Sequence, residues 1–183
     1  MVAGMRAQEM ERLPRLDPGL YRGRACVHWA MSLDRRTTGW LAPLLHLRLR
    51  EALLHACCRH GLVCPAYVLM PDHGHFLLIG TGEAADQRLA MRMFRRLWSG
   101  LLPRGHTLQR QAYDHVLREE ERACDAFSAV AYYILENPVR AGLTEEFAAW
   151  EYSGCCVPGY PSLDPRQPGY WESFWLALDD LSK

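Results

Sequence analysis

Lysine is almost missing from this chain. Of the 21 basic residues in 183, 20 are arginine and only Lys183 is lysine. Arginine presents a planar fork suited to phosphate oxygens, although a GC-rich genome produces the same bias. Net charge is missing too, because 21 acidic side chains balance the 21 basic ones. That argues against bulk electrostatic attraction to nucleic acid and puts the weight on how charge is distributed. No apolar run approaches bilayer length, and Arg6, Glu9 and Glu11 stand where a secretory signal would be apolar. A cytoplasmic protein with no membrane partner is expected. There is no Gly-x-x-x-x-Gly-Lys-Ser/Thr segment, so a P-loop motor is not supported. The seven cysteines (Cys26, Cys57, Cys58, Cys64, Cys124, Cys155 and Cys156) are odd in number and include no Cys-x-x-Cys pair. A secreted disulfide framework and a zinc ribbon are both disfavoured, and reduced thiols are expected.

What is present suits one compact domain. Hydrophobic residues make up 49% and charged ones 23%, in the range of globular proteins. Residues 1–22 are polar and read as a flexible arm. Residues 25–33 read as a strand, 41–60 as a helix stopped by Gly61, and 63–70 with 73–80 as a hairpin-like pair around Pro71-Asp72. Residues 84–102 read as a second helix, 107–117 as a strand and 121–137 as a third helix. The order is α+β, a ferredoxin-like β-α-β-β-α-β core whose antiparallel sheet carries helices on one face. The core domain spans 23–146, and 147–183 is an aromatic, proline-rich extension.

Two histidines one residue apart, His73 and His75, follow one apolar run and open another. In a strand, residues i and i+2 share a face, so both imidazoles lie side by side. Gly74 between them is expected to let a ligand approach the backbone. Two histidines on one face either form a polar patch under a helix or supply two ligands to a divalent metal. Spacing leaves both readings open.

The third helix carries Phe127, Val130 and Ile134 at core spacing, and Pro138 should end it near Asn137. Tyr133 and Asn137 lie four apart and stack on one face. Taken alone, this reads as a half-buried tyrosine beside an asparagine cap.

Three ordered segments resemble a known family. They are Met70-Pro71-Asp72-His73-Gly74-His75-Phe76, Tyr113-Asp-His-Val-Leu-Arg118, and Tyr133-Ile-Leu-Glu-Asn-Pro-Val-Arg-Ala-Gly-Leu143. Together they resemble the HUH-type single-tyrosine transposases, and more closely the REP-associated tyrosine transposases of bacteria. The resemblance implies that His73, His75 and Asn137 bind Mg or Mn and that Tyr133 is the nucleophile. Tyr132 falls outside the motif and points about 100° away on a helix. His115 and Arg118 also match family positions and are expected beside the site. The implied reaction cleaves and rejoins single-stranded hairpin or repeat DNA through a covalent 5′-phosphotyrosine, leaving a free 3′-OH. The covalent link conserves the bond for rejoining, so no ATP is needed. The alternative is a catalytically idle DNA-binding protein with the same fold and a regulatory role. A metallohydrolase using water would leave Tyr133 and Asn137 unexplained. A monomer is favoured over a homodimer.

Arg88, Arg92, Arg95 and Arg96 recur at three- and four-residue spacing and are expected to form one basic face for DNA phosphates. Leu89, Met93, Phe94, Leu97 and Leu101 are expected to supply that helix's apolar side. Arg35 and Arg36 are further DNA-binding candidates. The aromatics of 147–183, including Trp150, Tyr170, Trp171, Phe174 and Trp175, are expected mainly to anchor the tail on the domain.

Overall fold

A computed structural model describes residues 16–118 and 124–183. Its strands are β1 (Cys26–Ser32), β2 (Leu62–Met70), β3 (His73–Gly80), β4 (Tyr113–Val116) and β5 (Ser153–Cys156). Its helices are α1 (Pro43–His60), α2 (Gln87–Leu101), α3 (Cys124–Leu135), the short α4 (Asn137–Arg140) and α5 (Tyr170–Leu181). The sheet order is β4-β1-β3-β2-β5, and every neighbouring pair is antiparallel. The first four strands with α1 and α2 form the expected β-α-β-β-α-β unit.

Strand alternation sorts the core into two layers. Val27, Trp29 and Met31 of β1 and Phe76 and Leu78 of β3 meet Leu53 of α1 and Phe94 and Trp98 of α2. The opposite face is not bare. Leu77 and Ile79 of β3 and Val68 and Met70 of β2 pack under Phe127, Ala131 and Ile134 of α3 and Phe174 of α5. Cover on both sides explains why every residue of β2 is buried and why its sequence is a continuous apolar run. It also makes 153–181 part of the domain: β5 extends the sheet at β2, and α5 lays Trp171 and Trp175 against Phe127.

Boundaries follow local chemistry. Gly61 ends α1 at φ 64°, a left-handed cap that suits glycine. Asp86 caps α2 by accepting from Leu89 N at 3.0 Å. Gln87, fully buried, accepts from Trp29 Nε1 at 3.1 Å and donates to the Ala25 carbonyl at 2.7 Å, pinning α2 to β1. The buried stripe of α2 is Ala90, Met91, Phe94 and Trp98, whereas Leu89 is 41% exposed. Of the apolar side expected, Phe94 is buried and Leu97 and Leu101 pack against the core, whereas Leu89 lies outside it, so the contact is shifted toward Met91 and Trp98. Of the expected arm, Pro18–Tyr21 form a 3-10 turn and Tyr21 is buried. Residues 1–15 lie outside the described residues.

Gly80 closes β3 against the segment before β1. A Cβ there would lie 1.8 Å from the Gly23 carbonyl oxygen and 2.9 Å from the Ala85 methyl. Backbone cannot yield as a side chain does, so Gly80→Ala should destabilise the domain by about 3 kcal/mol. Urea unfolding measures this as a lower midpoint at unchanged slope.

Candidate active site

The histidines gather through strand register. His73 and His75 project from β3 toward α3, while Gly74 projects toward α1 and α2. A Cβ on Gly74 would meet Phe76 Cζ at 3.0 Å and Leu69 Cδ2 at 3.1 Å. Gly74 thus makes room for the core and not, as its place between two histidines suggests, for a ligand. Strand β1 places Ala30 opposite His75, and β4 places His115 opposite His28. Cross-strand partners share a face, so His73, His75, His28 and His115 form one row over three strands.

Within that row the ring nitrogens are specifically engaged. His73 Nδ1 lies 2.5 Å from Asp72 Oδ1, and the other carboxylate oxygen pairs with Arg36 at 3.3 Å. His75 Nδ1 lies 3.0 Å from His28 Nε2. Burial, then the positive fields of His28, His73, Arg140 and Arg36, push His75 down to about 3. Burial and then His115 push His28 down to about 4. Both rings are therefore neutral at neutral pH, the form that binds metal.

The donor set fits a divalent ion. The Nε2 atoms of His73 and His75 face each other at 3.1 Å. Two adjacent octahedral ligands at about 2.1 Å from a metal stand about 3.0 Å apart. Each Nδ1 has its own partner, and with the protons on Nδ1 both Nε2 lone pairs converge on the same point. Lone pairs so placed repel unless a cation or a proton lies between them. Among the described residues no third histidine, cysteine or carboxylate completes the group, which leaves an amide or water as further ligands.

The end of α3 carries the phenol of Tyr133, and the start of α4 carries the amide of Asn137. Asn137 Nδ2 donates to the carbonyls of Ile134 at 2.8 Å and Tyr133 at 3.3 Å. That ties the amide nitrogen to the helix end and leaves Oδ1 as the free donor atom. Tyr133 is 59% exposed, and its ring lies under the Arg140 guanidinium at 4.0 Å. Arg140 also donates to the Tyr133 carbonyl and pairs with Glu136 at 3.7 Å. Tyr132 instead sits edge-on to Phe147 and Trp171, both at 5.9 Å. Pro138 opens α4, so the chain restarts a helical turn there and carries Arg140 back over Tyr133.

Three members of this cluster were not singled out from sequence. Arg140 lies inside the Asn-Pro-Val-Arg segment and Asp72 inside Met-Pro-Asp-His, so both had a local signal. His28 had none, because only the pairing of β1 with β3 brings it to His75. Its role is to hold the His75 ring with Nε2 outward. His28→Phe keeps the ring volume and removes the nitrogen. Manganese affinity in calorimetry without DNA should fall about 10–100-fold, the usual cost of losing such a support, and unchanged affinity refutes the role.

The other expected residues scatter. Arg118 follows β4, immediately before 119–123, which lie outside the described residues. Arg35 and Arg36 take left-handed φ of 51° and 54°, a turn that aims Arg36 at Asp72 while Arg35 stays largely exposed beside Asp34. Arg88, Arg92 and Arg95 line one cavity. Arg96 lines a different groove with Arg48 of α1. The single basic face expected from spacing is thus divided, because a helix turns 100° per residue and adjacent Arg95 and Arg96 diverge.

No family model matches the sequence, and no curated protein matches it. Among solved structures, one described as a REP-associated tyrosine transposase bound to a REP hairpin is similar. It superposes at a TM-score of 0.62 with 20% sequence identity, over 79% of this chain and 82% of that one. This chain therefore has the α+β fold of a REP-associated tyrosine transposase.

Proposed function

We propose that the protein is a metal-dependent tyrosine transposase that cuts and rejoins single-stranded DNA through a 5′-phosphotyrosine. The observation that carries this reading is the pair of Nε2 atoms converging at 3.1 Å, on the sheet face covered by the helix that bears Tyr133. The fold of a transposase solved on a DNA hairpin supports hairpin DNA as the partner.

His73 and His75 would hold Mg or Mn through Nε2, with Asn137 Oδ1 as a third ligand. When bound, the ion neutralises charge on the non-bridging phosphate oxygens and orients the phosphorus. Asp72 and His28 hold the two imidazoles in register. Tyr133 attacks the phosphorus through its phenolic oxygen, and the 3′ oxygen of the preceding nucleotide leaves. Arg140, over the Tyr133 ring, presents a cation to the phosphate under attack. His115 extends the row toward the β4 edge, and Arg118 follows it as a candidate phosphate contact. Residues 153–181 complete the domain by covering the back of α3.

The test is incubation with labelled hairpin DNA from the flanks of its own gene, with and without Mn, read on a denaturing gel. A covalent protein–DNA band that disappears with chelator is expected. A mobility shift on a native gel, with no covalent band and no metal requirement, overturns the catalytic reading in favour of the idle DNA-binding protein.

A further inference from the structure

A second basic feature lies on the opposite side of the sheet from the histidines. A cavity of about 230 Å³ opens between α2, β1 and the segment leading into β4. Its floor is Trp29 and Met31 of β1, and its rim carries Arg88, Arg92, Arg95 and Arg110. Four guanidinium groups face one carboxylate, Asp114, which already accepts the Tyr21 hydroxyl. Arg92 and Arg110 make no ion pair with another described residue. Arg95 is half-buried, with only the Leu108 carbonyl at 3.5 Å. Arg88 lies 5.9 Å from the centre of the Tyr21 ring. Arg92 and Arg110 are exposed at the rim, whereas Arg88 and Arg95 are partly buried, and a partly buried cation without a counter-charge is costly unless an anion arrives.

The floor is rigid before any ligand comes. Trp29 Nε1 donates to Gln87, which in turn holds the Ala25 and Leu78 carbonyls. A phosphate suits the arginine forks, and of the floor residues, Trp29 at 7% and Met31 at 1% exposure, only the indole offers a base any surface. The volume is below the ~300–1,000 Å³ of pockets that enclose a whole drug-sized ligand, so it suits one residue of a chain. Topology favours a strand over a free nucleotide. Along β1, Trp29 and Met31 face the cavity while His28 and Ala30 face the histidine row. Along β4, Asp114 faces the cavity, and Tyr113 and His115 face the row. Strand β4 is the sheet edge, so a nucleic-acid strand rounding it meets both faces, with Tyr113, 53% exposed, on the way.

The geometry points to a second DNA site: the cavity seats one unpaired nucleotide of the same strand whose phosphodiester lies at the histidines. This rests on the DNA reading above and adds where the strand runs. Arg92 and Arg110 at the rim clamp the phosphate with Arg95 beside them, and the base enters against Trp29. A paired base cannot enter, so the site selects single strands.

The test is fluorescence anisotropy with a labelled single-stranded hairpin-flank oligonucleotide and with its fully duplexed form. Three proteins are compared: wild type, Arg92→Glu/Arg110→Glu, and Arg48→Glu/Arg96→Glu, which makes the same charge change at the other groove. Wild type should prefer the single strand. The cavity pair should lose about tenfold or more on it and little on the duplex, and its salt slope should shrink by about 0.7, one phosphate's worth. The control pair should lose clearly less. Iododeoxyuridine photocrosslinks should map to the Tyr21 or Trp29 peptide in wild type and vanish in the cavity pair. Equal losses in both pairs, or unchanged single-strand affinity in the cavity pair, overturn the site. The Tyr133 adduct assay on wild type separates the two readings. An adduct without a cavity effect leaves the transposase reading standing and removes this one, and absence of both adduct and single-strand binding removes both.

Discussion

Tyr133→Phe is expected to cut formation of the covalent protein–DNA adduct on the order of 10³-fold or more, while hairpin affinity stays within about twofold. The separation follows from the geometry. The Tyr133 side chain is mostly exposed, and among the described residues nothing hydrogen-bonds its hydroxyl. Removing that oxygen costs the fold nothing and leaves the ring on which Arg140 lies. Tyr132→Phe is the matched control: its ring packs on Phe147 and Trp171, and its adduct yield should stay at the wild-type level. An adduct that survives Tyr133→Phe and is lost in Tyr132→Phe reverses the assignment. Rapid-quench measurement of adduct yield, beside anisotropy for binding, gives both numbers from one preparation.

His75→Ala is expected to have the second largest effect, a loss of metal-supported cleavage on the order of 10³-fold with weakened manganese binding. One imidazole then remains at the ion, and the convergence of two Nε2 atoms is gone. The same change also orphans His28 beside it, so His73→Ala is the cleaner second variant, since it leaves the His28–His75 contact intact. Both should fail alike if the pair acts through the metal. His115→Ala should cost far less, because His115 reaches the row through His28 and not through the ion. Wild-type rates at saturating manganese in both His73→Ala and His75→Ala would remove the metal from the mechanism.

Part of this architecture was legible in the residues. Strand β3 begins at His73 and ends at Gly80 as alternation requires, α1 stops at Gly61, and α3 yields to Pro138. These boundaries are set by local chemistry: a left-handed cap, a missing amide proton and a period of two. The strand into β4 was legible only in part. Its ladder covers Tyr113–Val116, and residues 107–109 pair separately, through a bridge of Leu108 to Leu33. The tail was ambiguous, because an aromatic ring that stacks on a base and one that packs on Phe127 have the same composition.

Motif spacing could bring together residues one to four apart. That is why His73, His75, Tyr133 and Asn137 were visible as candidates, along with the chemistry that phosphodiester transfer demands of such side chains. It could not bring His28 to His75, 47 residues away, since that contact depends on which strands pair and in which register. Nor could it divide Arg95 from Arg96, because helical spacing states which residues share a face but not what that face meets.

The sequence by itself determined the order of elements and the local spacing that sets His73 beside His75 and Tyr133 beside Asn137. Each of these is written in neighbours a few positions apart. Only the tertiary structure decided that the histidine row spans three strands, that α3 and α5 cover the second face of the sheet, and that four arginines surround a cavity behind the site. Those contacts join segments distant in the chain, and what holds them is burial and register, which no local pattern encodes.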